Sequence, residues 1–143
     1  MKVISTLFFL LLSITASAEE GLVRMDIGRG EARLPTYVMS NPQAEATLIL
    51  LPGGDAQTGK IVDGKPASGN FLSRTRGDFY AANFNVIVVY RASDLSALDY
   101  GYRVKEHVGE IAKVITYAKQ QFGKPVWLVG TSRGTVSGTA AAI

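Results

Sequence analysis

Ser132 is the residue whose neighbours best suit covalent chemistry. It lies in Gly130-Thr131-Ser132-Arg133-Gly134, directly after an apolar run, Val126-Trp127-Leu128-Val129. A strand that enters G-x-S-x-G and leaves as a helix forms a nucleophile elbow, a sharp turn that exposes the serine hydroxyl. The glycines two positions before and after the serine leave room for that bend. The pattern therefore predicts Ser132 as a nucleophile, with Gly130, Thr131 and Gly134 forming its turn.

A serine that attacks a carbonyl also needs donors for the oxyanion that develops. The Arg133 amide is the first candidate, because it opens the helix that follows the serine. The second candidate comes from Pro52-Gly53-Gly54, which ends the apolar run Thr47-Leu48-Ile49-Leu50-Leu51. A Gly-rich turn lets the backbone approach a substrate closely. We expect Gly54 to supply that second amide, with Gly53 as the other choice.

Three other patterns favour less specific interpretations. The stretch Gly54-Asp55-Ala56-Gln57-Thr58-Gly59-Lys60 is similar to a phosphate-binding loop, but Ile61 stands where Ser or Thr is required. A phosphate loop must also open into a helix, and Gly64 and Pro66 disfavour one. His107, the single histidine, is predicted to be a packing or capping residue. The remaining polar groups have no assignable catalytic role. We expect three aspartates to lie in loops, at Asp55, Asp94 and Asp99. We expect four arginines to be solvated surface charges, at Arg74, Arg76, Arg91 and Arg103.

Alternating strands and helices must position these residues. An apolar run or a period of two indicates a strand, and a recurrence at three and four residues indicates a helix. These patterns predict strands near residues 22–27, 36–39, 47–51, 85–90 and 126–129. They predict helices near residues 70–82, 104–122 and 135–143, with a long loop at 55–69. This order predicts an α/β fold: a mostly parallel sheet with helices on both faces.

With these motifs in place, the chain resembles the α/β-hydrolase superfamily. The resemblance rests on Leu51-Pro52-Gly53-Gly54, the strand at 85–90 and the segment 125–134. Gly69-Asn70-Phe71-Leu72 and the elbow look like those of a poorly characterised bacterial group within it. The resemblance implies an eight-stranded sheet of which this chain supplies about the first five strands. It also implies Ser132 as nucleophile and the Gly54 and Arg133 amides as oxyanion donors.

The family's catalytic carboxylate and histidine follow the serine in the chain. We find no counterpart of either in this sequence, and we therefore expect an incomplete fold that ends after the elbow and shows little turnover. In the full-length form we expect a serine hydrolase of the esterase, thioesterase or amidase type acting on a small molecule. One alternative is a non-catalytic interaction remnant that self-associates through the exposed edge of the elbow strand. A second alternative is an acyltransferase. No cofactor or metal is expected.

The first 18 residues have the pattern of a secretory signal peptide. A positive Lys2 precedes an apolar stretch at 3–14 and an Ala16-Ser17-Ala18 end. That stretch is shorter than the roughly 20 residues that span a bilayer, so we expect cleavage and no stable membrane anchor. The mature domain would be residues 19–143, exported and either periplasmic or secreted. The formal net charge of +3 is small and predicts no nucleic-acid partner.

Overall fold

The computed structural model describes residues 19–143, so the predicted signal peptide lies outside the described residues. Five strands form one sheet in the order β1-β2-β6-β3-β7, and two short strands form a separate hairpin. The strands are β1 (Glu20–Asp26), β2 (Arg33–Met39), β3 (Ala46–Leu51), β4 (Ile61–Val62), β5 (Lys65–Pro66), β6 (Phe84–Val89) and β7 (Val126–Gly130). The helices are α1 (Phe71–Arg74), α2 (Arg76–Ala81), α3 (Tyr100–Arg103), α4 (Glu106–Phe122) and α5 (Arg133–Ala142).

Strands β6, β3 and β7 run parallel, whereas β2 is antiparallel to both β1 and β6. In the β3–β7 ladder, Leu51 lies opposite Gly130. The carboxyl ends of these two strands therefore lie side by side. This register brings the loop after β3 next to the turn after β7, where the sequence predicts the chemistry.

Helices cover both faces of the sheet, as the sequence predicts. Successive residues of a strand point to opposite faces, so the two apolar cores can be separated by parity. Ile49 and Leu51 of β3 face the core that contains Ile111 and Val114 of α4. Leu48 and Leu50 face the opposite core, which contains Leu72 of α1 and the partly buried Phe79 of α2. Because both faces are covered, β3 is buried along its whole length.

The helix predicted at residues 70–82 is broken into α1 and α2. Asn70 caps α1, its side chain accepting a hydrogen bond from the Leu72 amide at 3.1 Å. Thr75 then has φ −92° and ψ 6°, which interrupts the helical path. The β-branched Thr75 and Gly77 both disfavour a continuous helix. Apolar spacing alone does not reveal such a break.

The long helix α4 forms where the apolar spacing predicts it, and Ile111 and Ala118 of the predicted face are buried. It begins at Glu106 instead of near Val104, which is 49% exposed, and its buried side also includes His107 and Glu110. Gly123 ends the helix with φ +58°, a left-handed conformation that glycine adopts without a steric cost. Within residues 19–143, no helix is both long and apolar enough to cross a membrane.

The segment predicted as a loop at 55–69 contains a small β-hairpin. Val62 pairs with Lys65 around Asp63 and Gly64, whose φ angles are both positive at 48° and 75°. Two successive positive φ angles are typical of a type I′ turn, and Asp-Gly is a preferred sequence for it. The Asp63-Gly64 pair therefore indicates the hairpin in the sequence, although Pro66 disfavours a strand beside it.

Candidate functional site

Ser132 occupies a sharp turn between β7 and α5. Its backbone has φ 50° and ψ −128°, a conformation that residues other than glycine rarely adopt. A non-glycine residue held there is strained by about 1 to 3 kcal/mol. The residue is exposed, and no described residue makes a hydrogen bond to its hydroxyl. The turn thus presents a free hydroxyl at the carboxyl end of a strand.

Close packing around the turn requires glycine on both sides of Ser132. A Cβ added to Gly130 would lie 2.7 Å from the Gly134 carbonyl oxygen. A Cβ added to Gly134 would lie only 1.8 Å from the Leu51 carbonyl oxygen. The Gly134 amide donates to the Thr131 carbonyl at 2.8 Å, which closes the bend. The first turn of α5 is therefore pressed against the end of β3.

The loop after β3 reaches the same turn. A Cβ added to Gly53 would lie 2.9 Å from Ser132 Cβ and 2.8 Å from the Thr131 carbonyl oxygen. Gly54, the next residue, has φ +58°, which favours glycine there as well. Among the hydrogen bonds within residues 19–143, neither the Gly54 amide nor the Arg133 amide donates to an acceptor. Two free backbone donors and one free hydroxyl therefore belong to adjoining segments.

The carbonyls of this loop are held in place. The Gly53 carbonyl accepts from the Ala56 amide at 3.2 Å and from Asn70 Nδ2 at 3.3 Å. The Gly54 carbonyl accepts from Arg103 Nη2 at 2.6 Å. The expectation that Arg103 is a solvated surface charge is wrong, because its side chain is fully buried. Two of its hydrogen-bond partners, the Gly54 carbonyl and Ser137 Oγ, come from distant parts of the chain, and no local pattern in the sequence predicts this burial.

Two positive groups lie near the loop. Arg133 Nη2 is 3.7 Å from Asp55 Oδ1, and both side chains are partly exposed. Burial lowers the pKa of Arg103, and the Arg133 charge lowers it further, while Asp55 acts in the opposite direction. The loop is therefore flanked by two guanidinium groups and one carboxylate.

His107 is a buried residue in a network separate from Ser132. Its Nδ1 lies 2.8 Å from Glu110 Oε2, one turn along α4. Glu110 is also buried and accepts hydrogen bonds from Tyr102 Oη and from Arg29 Nη1, the latter at 2.8 Å. Burial raises the pKa of Glu110, but the hydrogen bonds from His107, Tyr102 and Arg29 outweigh this and lower it. The spacing of His107 and Glu110, three residues apart, was the available sequence signal for this pair.

The three loop aspartates all have other partners. Asp94 binds Arg29 through two hydrogen bonds of 2.9 Å. Asp99 caps the short helix α3 by accepting a hydrogen bond from the Tyr102 amide at 2.8 Å. Asp55 pairs with Arg133. None of the three makes a hydrogen bond to His107 within the part of the chain that the structure describes.

The segment similar to a phosphate-binding loop lacks the required helix. Lys60 is followed by β4, so no helix N-terminus meets the Gly54–Lys60 stretch at its end. Over residues 19–143, no three potential metal-binding carboxylate or imidazole side chains cluster together. The Gly54–Lys60 stretch therefore lacks the loop-to-helix arrangement of a phosphate-binding loop.

No protein-family model and no curated protein matches the chain. Solved structures match it with low sequence identity. A cold-adapted esterase from an Arctic intertidal metagenomic library superposes with a TM-score of 0.57 at 14% identity, over 85% of this chain and 53% of the esterase. DcsB, solved with its substrate analogue, gives 0.61 at 17% identity, over 89% of this chain and 41% of DcsB.

An alpha-beta serine hydrolase homologue from Coxiella burnetii gives a TM-score of 0.52 at 14% identity, over 86% of this chain and 56% of the homologue. The chain thus spans about half the length of the structures it matches. Likeness at this level of identity shows a shared fold, which in this chain combines the parallel strands β6, β3 and β7 with a strand–turn–helix at Ser132. The chain therefore has an α/β-hydrolase type of fold, over about half the length of these structures.

Proposed function

We propose that the protein hydrolyses an ester, thioester or amide of a small molecule, with Ser132 as its nucleophile. The strained, exposed Ser132 beside Gly53 is the observation that carries this proposal. Backbone strain of this kind persists only where surrounding packing enforces it, and it concentrates at active sites. The neighbouring structures include an esterase and a serine hydrolase homologue, which supports the same reaction class.

In the proposed reaction, Ser132 Oγ attacks the substrate carbonyl carbon while a base accepts the hydroxyl proton. The carbonyl oxygen becomes an oxyanion that accepts hydrogen bonds from the Gly54 and Arg133 amides. The bond to the alcohol, thiol or amine then breaks, and that leaving group takes the proton. Water then attacks the acyl-serine carbonyl while the base accepts a proton from the water. Ser132 Oγ leaves, takes the proton back and releases the acid. In the acyltransferase alternative, another nucleophile replaces water.

We propose that the base and its carboxylate partner lie outside residues 19–143. His107 is committed to Glu110 and is buried, and it precedes the serine in the chain. The chain alone is then expected to turn over little ester. We also propose that the protein is exported, because residues 1–18 have the pattern of a signal peptide.

Adding imidazole as an external base tests the role of Ser132. We expect purified protein incubated with p-nitrophenyl acetate and imidazole to accumulate an acetyl group on Ser132, located by peptide mass spectrometry. Free imidazole assists both steps, but the acetyl-serine has a much poorer leaving group than p-nitrophenyl acetate, so its hydrolysis is slower than its formation and the intermediate accumulates. Ser132→Ala should abolish this labelling, whereas Ser96→Ala, a change at another exposed serine, should leave it intact. Acetylation spread over lysines, with no preference for Ser132, would contradict the proposal.

A second proposal, self-association through β7, rests on the edges of the sheet. Among the described strands β7 pairs only with β3, and its Val126–Gly130 segment carries no charge. Trp127 is 63% exposed on it. The opposite edge, β1, carries the charges of Glu20, Arg24 and Asp26, which discourage pairing with another chain. An uncharged apolar edge favours pairing with a second copy of itself.

Size-exclusion chromatography with light scattering tests this pairing. We expect a dimer whose population rises with protein concentration. Trp127→Lys adds a charge to the edge and should give a monomer, whereas Phe71→Lys alters an exposed aromatic residue far along the chain and should not. A wild-type monomer at all concentrations, or heterogeneous aggregates, would exclude a defined β7 dimer.

A further inference from the structure

Arg103 connects three segments around the loop after β3. It is the last residue of α3 and its side chain is fully buried. Its Nη2 donates to the Gly54 carbonyl at 2.6 Å, and its Nη1 donates to Ser137 Oγ of α5 at 2.8 Å. Its Nε donates to the Leu98 carbonyl at 3.3 Å. The guanidinium thus joins the glycine loop to the helix that follows Ser132.

Burying the Arg103 guanidinium among uncharged groups carries a cost in folding stability. All three acceptors are uncharged oxygens, and no carboxylate within residues 19–143 lies within 4.0 Å of the Arg103 guanidinium. A buried charge without an ionic partner is destabilising relative to an apolar side chain of similar volume. Only the directed hydrogen bonds of the guanidinium offset this. The position therefore has a feature that stability alone does not explain.

The hydrogen bonds fix the conformation of Gly54. Each peptide unit is planar, so a held carbonyl also sets the direction of the amide in the same unit. Asn70 and Ala56 hold the carbonyl of the Gly53–Gly54 unit, whose amide is that of Gly54. Arg103 holds the carbonyl of the next unit. Since glycine is otherwise free to rotate about its own φ and ψ, the hold by Arg103 fixes the angle between the two peptide units and ties them to Ser137 of α5, which keeps the Gly54 amide in one position relative to that helix.

We propose that Arg103 is a positioning residue for the hydrolysis: it locks the Gly54 peptide against α5 so that the Gly54 amide faces the oxyanion. This inference rests on the proposed function of Ser132. Lysine cannot replace arginine in this role, because one ammonium cannot reach three acceptors that lie in different directions. The guanidinium also adds a fixed positive charge behind the loop, which favours an oxyanion in front of it.

The test compares Arg103→Met, Arg103→Lys and Ser137→Ala with a control, Arg24→Met, at an exposed arginine of β1. Two measurements are made on the purified protein: the ¹⁵N–¹H resonance of Gly54, and the rate of imidazole-assisted acetylation of Ser132. We expect Arg103→Met to remain folded, to shift or broaden the Gly54 resonance, and to slow acetylation by at least about tenfold, which is less than the roughly 10² to 10³-fold effect of removing an oxyanion donor itself. Arg103→Lys should not restore either property, and Arg24→Met should change neither.

The two measurements separate this inference from the function on which it rests. If wild-type Ser132 is not acetylated, the proposed function fails, while the Gly54 resonance still reports whether Arg103 holds the loop. A folded Arg103→Met protein with an unchanged Gly54 resonance and wild-type acetylation would overturn the inference. If both Arg103 variants unfold, Ser137→Ala carries the test, because it removes only the bond to α5. An unmoved Gly54 resonance and an unchanged rate in that variant would likewise overturn it.

Discussion

Replacing Gly134 with alanine is expected to remove most of the folding stability of the protein. The new Cβ would lie 1.8 Å from the Leu51 carbonyl oxygen and 2.8 Å from the Leu51 carbonyl carbon. Both are backbone atoms of a buried strand, so no side chain can rotate away to make room. Helix α5 must therefore move off β3. We expect a loss of about 4 kcal/mol or more in the free energy of unfolding, measured by chemical denaturation.

Gly138→Ala is the matched control for that change. Gly138 lies one turn further along α5, and a Cβ there would lie 3.4 Å from Leu51 Cδ1, the end of a flexible side chain. Alanine in a helix is more favourable than glycine by about 0.5 to 1 kcal/mol, so this variant should be as stable as the wild type or slightly more stable. Equal stability of the Gly134→Ala and Gly138→Ala proteins would show that α5 does not press on β3 as described.

Glu110→Gln is expected to destabilise the protein by about 3 to 5 kcal/mol. The carboxylate accepts hydrogen bonds from His107, Tyr102 and Arg29 in a buried setting. A glutamine of the same shape places an NH₂ group, itself a donor, where a carboxylate oxygen now accepts. Buried donors are then left without an acceptor. Glu106→Gln, at the exposed first residue of the same helix, should cost less than about 1 kcal/mol.

The destabilisation by Glu110→Gln should depend on pH in a defined direction. The pKa of Glu110 in the folded protein lies below its usual value of 4.5. The stability that the carboxylate contributes is therefore present above pH 4.5 and is lost as the pH falls through the lowered pKa. Denaturation curves of wild type and variant should be far apart at pH 7 and should converge in stronger acid. A difference that stays constant down to acid pH would contradict this assignment.

The elements whose patterns are local were predictable. The continuous apolar runs of β3 and β6 require burial on both faces, and the spacing in α4 requires one buried side, whereas the apolar run of β7 forms a strand on which Trp127 is exposed. These two requirements are met together only by a layered α/β arrangement. The turn at Ser132 was also predictable, because glycines at 130 and 134 and a preceding strand are features of the sequence itself.

Features that depend on tertiary contacts were not predictable in the same way. The partners of Arg103, Gly54 and Ser137, are 49 and 34 residues away in the chain. A charged residue in a short helix is usually solvated, so its burial follows only from the folded arrangement. The break at Thr75 likewise depends on how α1 and α2 fit the sheet. By contrast, the Asp63-Gly64 turn and the His107–Glu110 pair involve residues close together in the sequence. Both could be predicted from local patterns other than the apolar spacing.

The central place of β3 in the sheet has a consequence for synthesis on the ribosome. Its parallel partners are β6, which begins at Phe84, and β7, which begins at Val126. About 75 residues must follow Leu51 before β7 emerges, which takes roughly 4 to 15 seconds at 5 to 20 residues per second. Throughout that interval, the nascent chain carries an apolar strand with one or both edges unsatisfied. Chaperones that bind extended apolar segments should therefore have access to residues 46–51 throughout this interval.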